Sequence, residues 1–374
     1  MGGSAFNSLP SGSFPRIPPP VYKDLKARLS PALDRLYEYV AVPIEDPEKT
    51  DHGDLDFIVC TPRNARNLPE TETDTDTAVN VPHNQVQVAL GAIHSIVEDG
   101  ARTSNFAVLV ERGAWSSSGC SEEEERAREA VESGEIFYQV DVHVCADKDD
   151  WDRVVYFHSY GDLGMIQGLV TRNVGLVLGV NGLKYPNPPH PTLILNQDFD
   201  RISIFFGWSS ERRNAGFTSR QQIFEWVIES RFFDPKSFRT SGQGISRVKA
   251  QRTMYSDFVV WVNARSESTD MEEVKHRQER VRKEALIEFG RLEEVENYMR
   301  EFEARKILKT TFNGSVVKGW TELGNNWRGV KVVMDMVRER HGGEEGLLQI
   351  YLLEGEEGLK ERVMKAFQES GLSS

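Results

Sequence analysis

Asp54 and Asp56, one residue apart, stand at the head of an apolar run, Phe57-Ile58-Val59-Cys60. Residues i and i+2 of a β-strand face the same side. The spacing therefore projects both carboxylates together from the first turn of a buried strand, about 6–7 Å apart, where like charges repel. A divalent cation removes that conflict. Mg²⁺ in particular takes carboxylate oxygens and leaves positions open for phosphate oxygens. A second segment, Ile136 to Cys145, is β-branched and aromatic with one acid, Asp141, in its middle. Asp141 shares a strand face with Phe137, Gln139 and His143. An unpaired carboxylate inside an apolar strand costs on the order of several kcal/mol unless a partner or a metal offsets it. Side by side, the two strands bring Asp54, Asp56 and Asp141 to one metal site.

The surrounding segments, His52-Gly53-Asp54-Leu55-Asp56-Phe57-Ile58-Val59 and Tyr138-Gln139-Val140-Asp141-Val142-His143-Val144, resemble the two acidic strands of the polymerase-β-like nucleotidyltransferase superfamily. The resemblance covers roughly the first 160 residues. It implies an α+β fold with a mixed β-sheet palm and helices; the apolar spacing of the later sequence adds the expectation of a mostly helical second region and C-terminal helices. It also implies transfer of a nucleoside monophosphate from a nucleoside triphosphate to a hydroxyl acceptor, RNA among the options, with Mg²⁺ or Mn²⁺ as cofactor. In that scheme Asp54 and Asp56 hold a metal that bridges the triphosphate, and Asp141 joins them on a second. The family's Gly-Gly/Ser phosphate element has one match here, Gly2-Gly3-Ser4. It departs from the pattern by lying 50 residues upstream of Asp54 with a helix between them. Lys23 and Lys49 are further candidates for a phosphate cation.

Two other functions fit parts of the same pattern. A nucleotide-binding or scaffold protein without turnover would account for the displaced glycine element. A hydrolase would use Asp141, His143 and His158 as ligands of a transition metal. A dinucleotide site is not expected: Gly168, Gly175 and Gly179 are not in G-x-G-x-x-G spacing after a strand.

Composition sets the frame. The chain has 374 residues, 39% of them hydrophobic, and a net charge of −13. Residues 1–150 hold 13 basic and 27 acidic side chains, a balance of −14, whereas the remaining 224 residues sit at +1. So acidic a half does not capture nucleic acid by broad electrostatics. No apolar run is long enough for a membrane span and no secretory pattern opens the chain, so an intracellular location, cytoplasm or nucleus, is expected. Three scattered cysteines, Cys60, Cys120 and Cys145, suit a reducing compartment.

Three regions are expected: a catalytic domain over 1–158, a mostly helical domain over 159–264 and a charged helical region over 265–374. Leu25, Leu29, Leu33, Leu36 and Val40 predict a helix over 21–40, and Val86 to Ile96 predict another that ends at Gly100. Ser121 and Glu124 have capping-box spacing, ahead of a solvated acidic helix. Asp162 is read as the cap of a long glycine-studded helix reaching Val180. Trp208, Phe217, Trp226, Phe232 and Phe233, interleaved with Arg212, Arg213, Arg220 and Arg231, suit either a core or a nucleotide-stacking surface.

Overall fold

The computed structural model describes residues 5–63, 81–97, 100–188, 190–238, 252–264 and 272–372. Gly2, Gly3 and Ser4 lie outside them, as does the whole of the acidic stretch over 64–80. The fold is α+β, and the chain divides into two compact units, Met1–Ala285 and Leu286–Ser374.

The first unit begins with α1 (Pro19–Asp34), β1 (Tyr37–Ala41), β2 (Leu55–Pro62), α2 (His83–Leu90), β3 (Ala92–Val97), β4 (Thr103–Leu109), α3 (Ser121–Glu129) and β5 (Phe137–Val144). The five strands form one mixed sheet in the order β1-β2-β5-β4-β3. β2 and β5 are parallel neighbours with Asp56 opposite Asp141, and β4 runs antiparallel to β5 with Asn105 opposite Asp141.

Strand alternation gives the sheet two unlike faces. Leu55, Phe57 and Val59 of β2 and Tyr138, Val140 and Val142 of β5 pack with Leu25, Leu29 and Leu33 of α1 and Val86 and Leu90 of α2. The other face is covered at its two ends only. At one end Phe6 and Phe14 pack against Ala107 and Phe137. At the other, Ile58, Cys60 and Cys145 pack against Val154 of α4 (Lys148–His158). The gap between these covers exposes the row of side chains that includes Asp56 and Asp141.

The chain continues through α5 (Leu163–Asn173), a small antiparallel sheet of β6 (Val177–Gly179), β7 (Gly182–Tyr185) and β8 (Leu193–Asn196), and helices α6 (Phe199–Phe206), α7 (Ser210–Ala215), α8 (Arg220–Ile228), α9 (Thr253–Asn263) and α10 (Glu272–Glu288). Two predicted helices end early at glycines. Gly91, at φ +64°, ends α2, and the Ala92–Val97 segment becomes an edge strand instead. Gly175, at φ +77°, ends the helix expected to reach Val180, and a hairpin follows. Glycine takes these left-handed conformations at little steric cost. The predicted helix over 21–40 likewise stops at Asp34, and Tyr37–Ala41 pairs with β2.

The second unit contains α11 (Leu292–Thr311), α12 (Gly314–Thr321), α13 (Trp327–His341) and α14 (Gly343–Glu369). Its own core joins Leu308, Val317, Val333, Leu348, Leu359 and Val363.

Candidate metal centre and cleft

The Asp54, Asp56 and Asp141 side chains each offer an oxygen within 4.8 Å of the others. Two local facts produce this. Asp54 and Asp56 point to one side of β2 by alternation, and the parallel register of β2 and β5 puts Asp56 beside Asp141. No other group of three or more potential ligands converges this way among the described residues, so His143 and His158 do not complete a metal set with Asp141.

Neighbours orient Asp141. The Asn105 side-chain amide donates to its Oδ1 at 2.6 Å, and Gln139 donates to both oxygens at 3.0 Å. Gln139 is buried, and it follows the same face of β5 as Asp141. Burial nonetheless pushes the Asp141 carboxyl above its ordinary range, aided by the charge of Asp54. Asp56 opens to the cleft yet sits deep among protein atoms. That desolvation, then the charges of Asp54 and Asp141, push its carboxyl from 3.8 up to about 7. The cluster holds an ionisation conflict that a cation relieves. Its donors are all carboxylate oxygens, which suit a hard divalent ion such as Mg²⁺ or Mn²⁺ rather than zinc.

The triad lies in a cleft of about 490 Å³ whose walls include Tyr22, Lys49, Arg102, His143 and His158. Beyond Asp141, the Thr103 hydroxyl and His143 Nδ1 are 2.8 Å apart, and Arg102 pairs with Asp150 at 2.7 Å. Burial, then the nearby His158, lowers the His143 pKa, so the ring is neutral near pH 7.

The loop between β1 and β2 forms one lip of the cleft and is tied to the helical part of the same unit. Arg220 at the start of α8 donates to both oxygens of Asp46, at 2.5 to 3.1 Å, and also pairs with Asp257. Tyr160 N–H donates to the Ile44 carbonyl, and Ile44 N–H donates to the Ser159 hydroxyl. Gly161 packs so close to Asp46 that a Cβ there would stand 3.0 Å from the Asp46 Cβ.

No model of a known protein family matches this chain, and no curated protein matches it. What the site can do follows from its own residues.

Asn105 is the functional neighbour that sequence reading missed. Its signal was present: Thr103 and Asn105 continue the alternation of the Phe106–Val110 strand and fall on the Asp141 face. Asp162 does not cap α5 with its side chain, which instead accepts from Arg252 and from Tyr255 N–H. The arginine-aromatic stretch is not an open stacking surface. Trp208, Phe217, Trp226 and Phe232 are buried. Arg212 pairs with Glu229, Arg231 with Glu284, and Arg213 is buried against the rings of Tyr156, Tyr160 and Trp226.

Proposed function

We propose that this protein is a metal-dependent nucleotidyltransferase of the polymerase-β-like kind, which moves a nucleoside monophosphate from a nucleoside triphosphate to a hydroxyl acceptor. The observation that carries the reading is the convergence of Asp54, Asp56 and Asp141 on adjacent parallel strands at the floor of a cleft. Asp54, Asp56 and Asp141 would hold Mg²⁺ or Mn²⁺. Bound there, the ion supplies charge neutralisation for phosphate oxygens and acidifies a coordinated hydroxyl.

The chain's own residues do the rest. Asn105 and Gln139 hold the Asp141 carboxylate, which would accept the proton of the attacking hydroxyl. That oxygen bonds to the α-phosphorus as the bond to pyrophosphate breaks. Phosphate binding by Gly2, Gly3 and Ser4 belongs to the proposal. Its support is that Ala5 and Phe6, the next residues along, pack on the sheet face that carries the triad.

Incubation with each labelled nucleoside triphosphate, Mg²⁺ or Mn²⁺ and a panel of hydroxyl acceptors tests the reading. Labelled product and pyrophosphate should appear with the parent chain and drop more than about 100-fold in Asp141→Asn, beyond the effect usual for a residue supporting a metal ligand. Tight Mg²⁺-nucleotide binding with no product for any acceptor would instead identify a binding protein on this scaffold.

A further inference from the structure

We propose that the trough beside the acidic cleft holds the acceptor, and that the acceptor is a short single strand of nucleic acid gripped by its phosphates. The inference rests on the nucleotidyl-transfer reading and names the substrate class of that site.

One face of α1, with Pro19, Lys23, Lys26 and Ser30, walls a trough of about 770 Å³, and Lys49 of the β1–β2 loop also lines it. The trough runs into the cleft, because Tyr22, Ile44, Glu45 and Lys49 line both. Pro19 and Ser30 are 11 residues apart on α1, about 16 Å along a helix axis. A stacked strand rises about 3.4 Å per nucleotide, so the trough is longer than one nucleotide.

Its charge runs against that of the sequence it belongs to. Residues 1–150 carry a balance of −14, yet three lysines gather here. Of the two acids that line it, Asp46 is already paired with Arg220. Glu45 takes the Tyr22 hydroxyl and lies 3.5 Å from Lys26. Lys23 and Lys49 have no ion-pair partner among the described residues. His52 is an independent sign of polar capacity not yet used. It lines the trough, is 4% exposed, and stacks on Tyr22 at 3.7 Å, while its Nδ1 has no hydrogen-bond partner.

Lysines at these positions contact phosphates without reading bases, so binding should tolerate any sequence. Lys49 borders the carboxylate cleft as well as the trough, which places a strand end held there next to the triad, with its terminal hydroxyl available for attack.

The test titrates the full chain, Lys23→Glu/Lys26→Glu and the milder Lys23→Gln/Lys26→Gln with a labelled oligoribonucleotide of about five units, a length matched to the trough. Mg²⁺-ATP is titrated in parallel, and thermal melts confirm that each variant folds. Oligonucleotide Kd should rise at least about 10-fold in the Glu variant while Mg²⁺-ATP Kd stays within about twofold. In the Gln variant the slope of log K against log salt should flatten by about 1.4, the loss of two single-strand phosphate contacts. Unchanged oligonucleotide binding in both variants, or none by the parent chain, overturns the proposal. Weakened Mg²⁺-ATP binding with the oligonucleotide unaffected assigns the trough to the donor triphosphate and overturns the acceptor role. Failure of the transferase reading has a separate signature: no Mg²⁺-ATP binding by the parent chain, which removes the acceptor role with it.

Discussion

Asp56 is the residue on which the chemistry and the stability of the site meet. In the metal-free protein its carboxyl is raised to about 7, so between about pH 4 and 7 the folded state binds more protons than the unfolded one. Stability then falls as pH rises through that window, and the cost is fully present above 7. Asp56→Asn removes the ionisation. Metal-free, the variant should melt above the parent at pH 8 and close to it at pH 4. Millimolar Mg²⁺ should raise the parent midpoint at pH 8 and leave the variant nearly unmoved. Equal melting of parent and variant at pH 8 without metal would count against the coupled carboxylate cluster. The triad was legible in the sequence because alternation along a strand is a local rule, and each acid sat in an apolar run that had no other use for it. Glu124 was misread for the opposite reason. It is 3% exposed and accepts from the N–H groups of Gly113 and Trp115 and from Arg128. An acidic run conceals which of its members turns inward.

At the scale of elements, two ties join distant parts of the chain around the sheet face that carries the three aspartates. One is the N-terminal segment. Phe6 is buried, its ring lies 5.1 Å from that of Phe14, and Phe137 N–H donates to the Ser13 carbonyl at 2.7 Å. Phe6→Ala should therefore destabilise the fold by roughly 3–5 kcal/mol, the usual cost of emptying a buried aromatic site. Ser4→Ala should leave the melting point alone and weaken nucleotide binding about 10-fold, the loss of one charge-assisted hydrogen bond. Nucleotide binding untouched by Ser4→Ala would remove Gly2-Gly3-Ser4 from the site. The other tie is Arg220 on Asp46, 174 residues apart. Both side chains are largely buried, so Arg220→Ala strands a charge and should cost about 3–5 kcal/mol. Adding Asp46→Ala to it should return part of that loss, and urea melts of both single variants and the double read the coupling directly. Contacts at such separation leave no periodic trace. The same applies to β1 and β3, whose residues continue the apolar spacing of the preceding helix until a turn redirects the chain.

For the whole molecule, charge and packing divide the chain differently. The acidic surplus lies entirely in residues 1–150, the part of the sequence that holds the three aspartates. No described helix is long and apolar enough to cross a membrane. The compact units separate at Ala285, and residues 286–374 have a core of their own, from Ala304 to Ala366. The apolar spacing from Val281 to Phe302 predicted helices but not this division, since a helical pattern continues across it. All of the proposed site, including the cleft, the trough and the Arg220 tie, lies in the first unit. A chain cut after Gly290, where φ reaches +68° between α10 and α11, keeps α10 whole. That 1–290 protein should fold, and Mg²⁺ should raise its midpoint within about 2 °C of the rise in the full chain, because the ion stabilises only the unit that binds it. Residues 291–374 alone should give a helical circular dichroism spectrum and a melting point indifferent to Mg²⁺. If the truncated chain folds but has lost its Mg²⁺ response, the second unit contributes to the metal centre, and the assignment of that centre to Asp54, Asp56 and Asp141 alone fails.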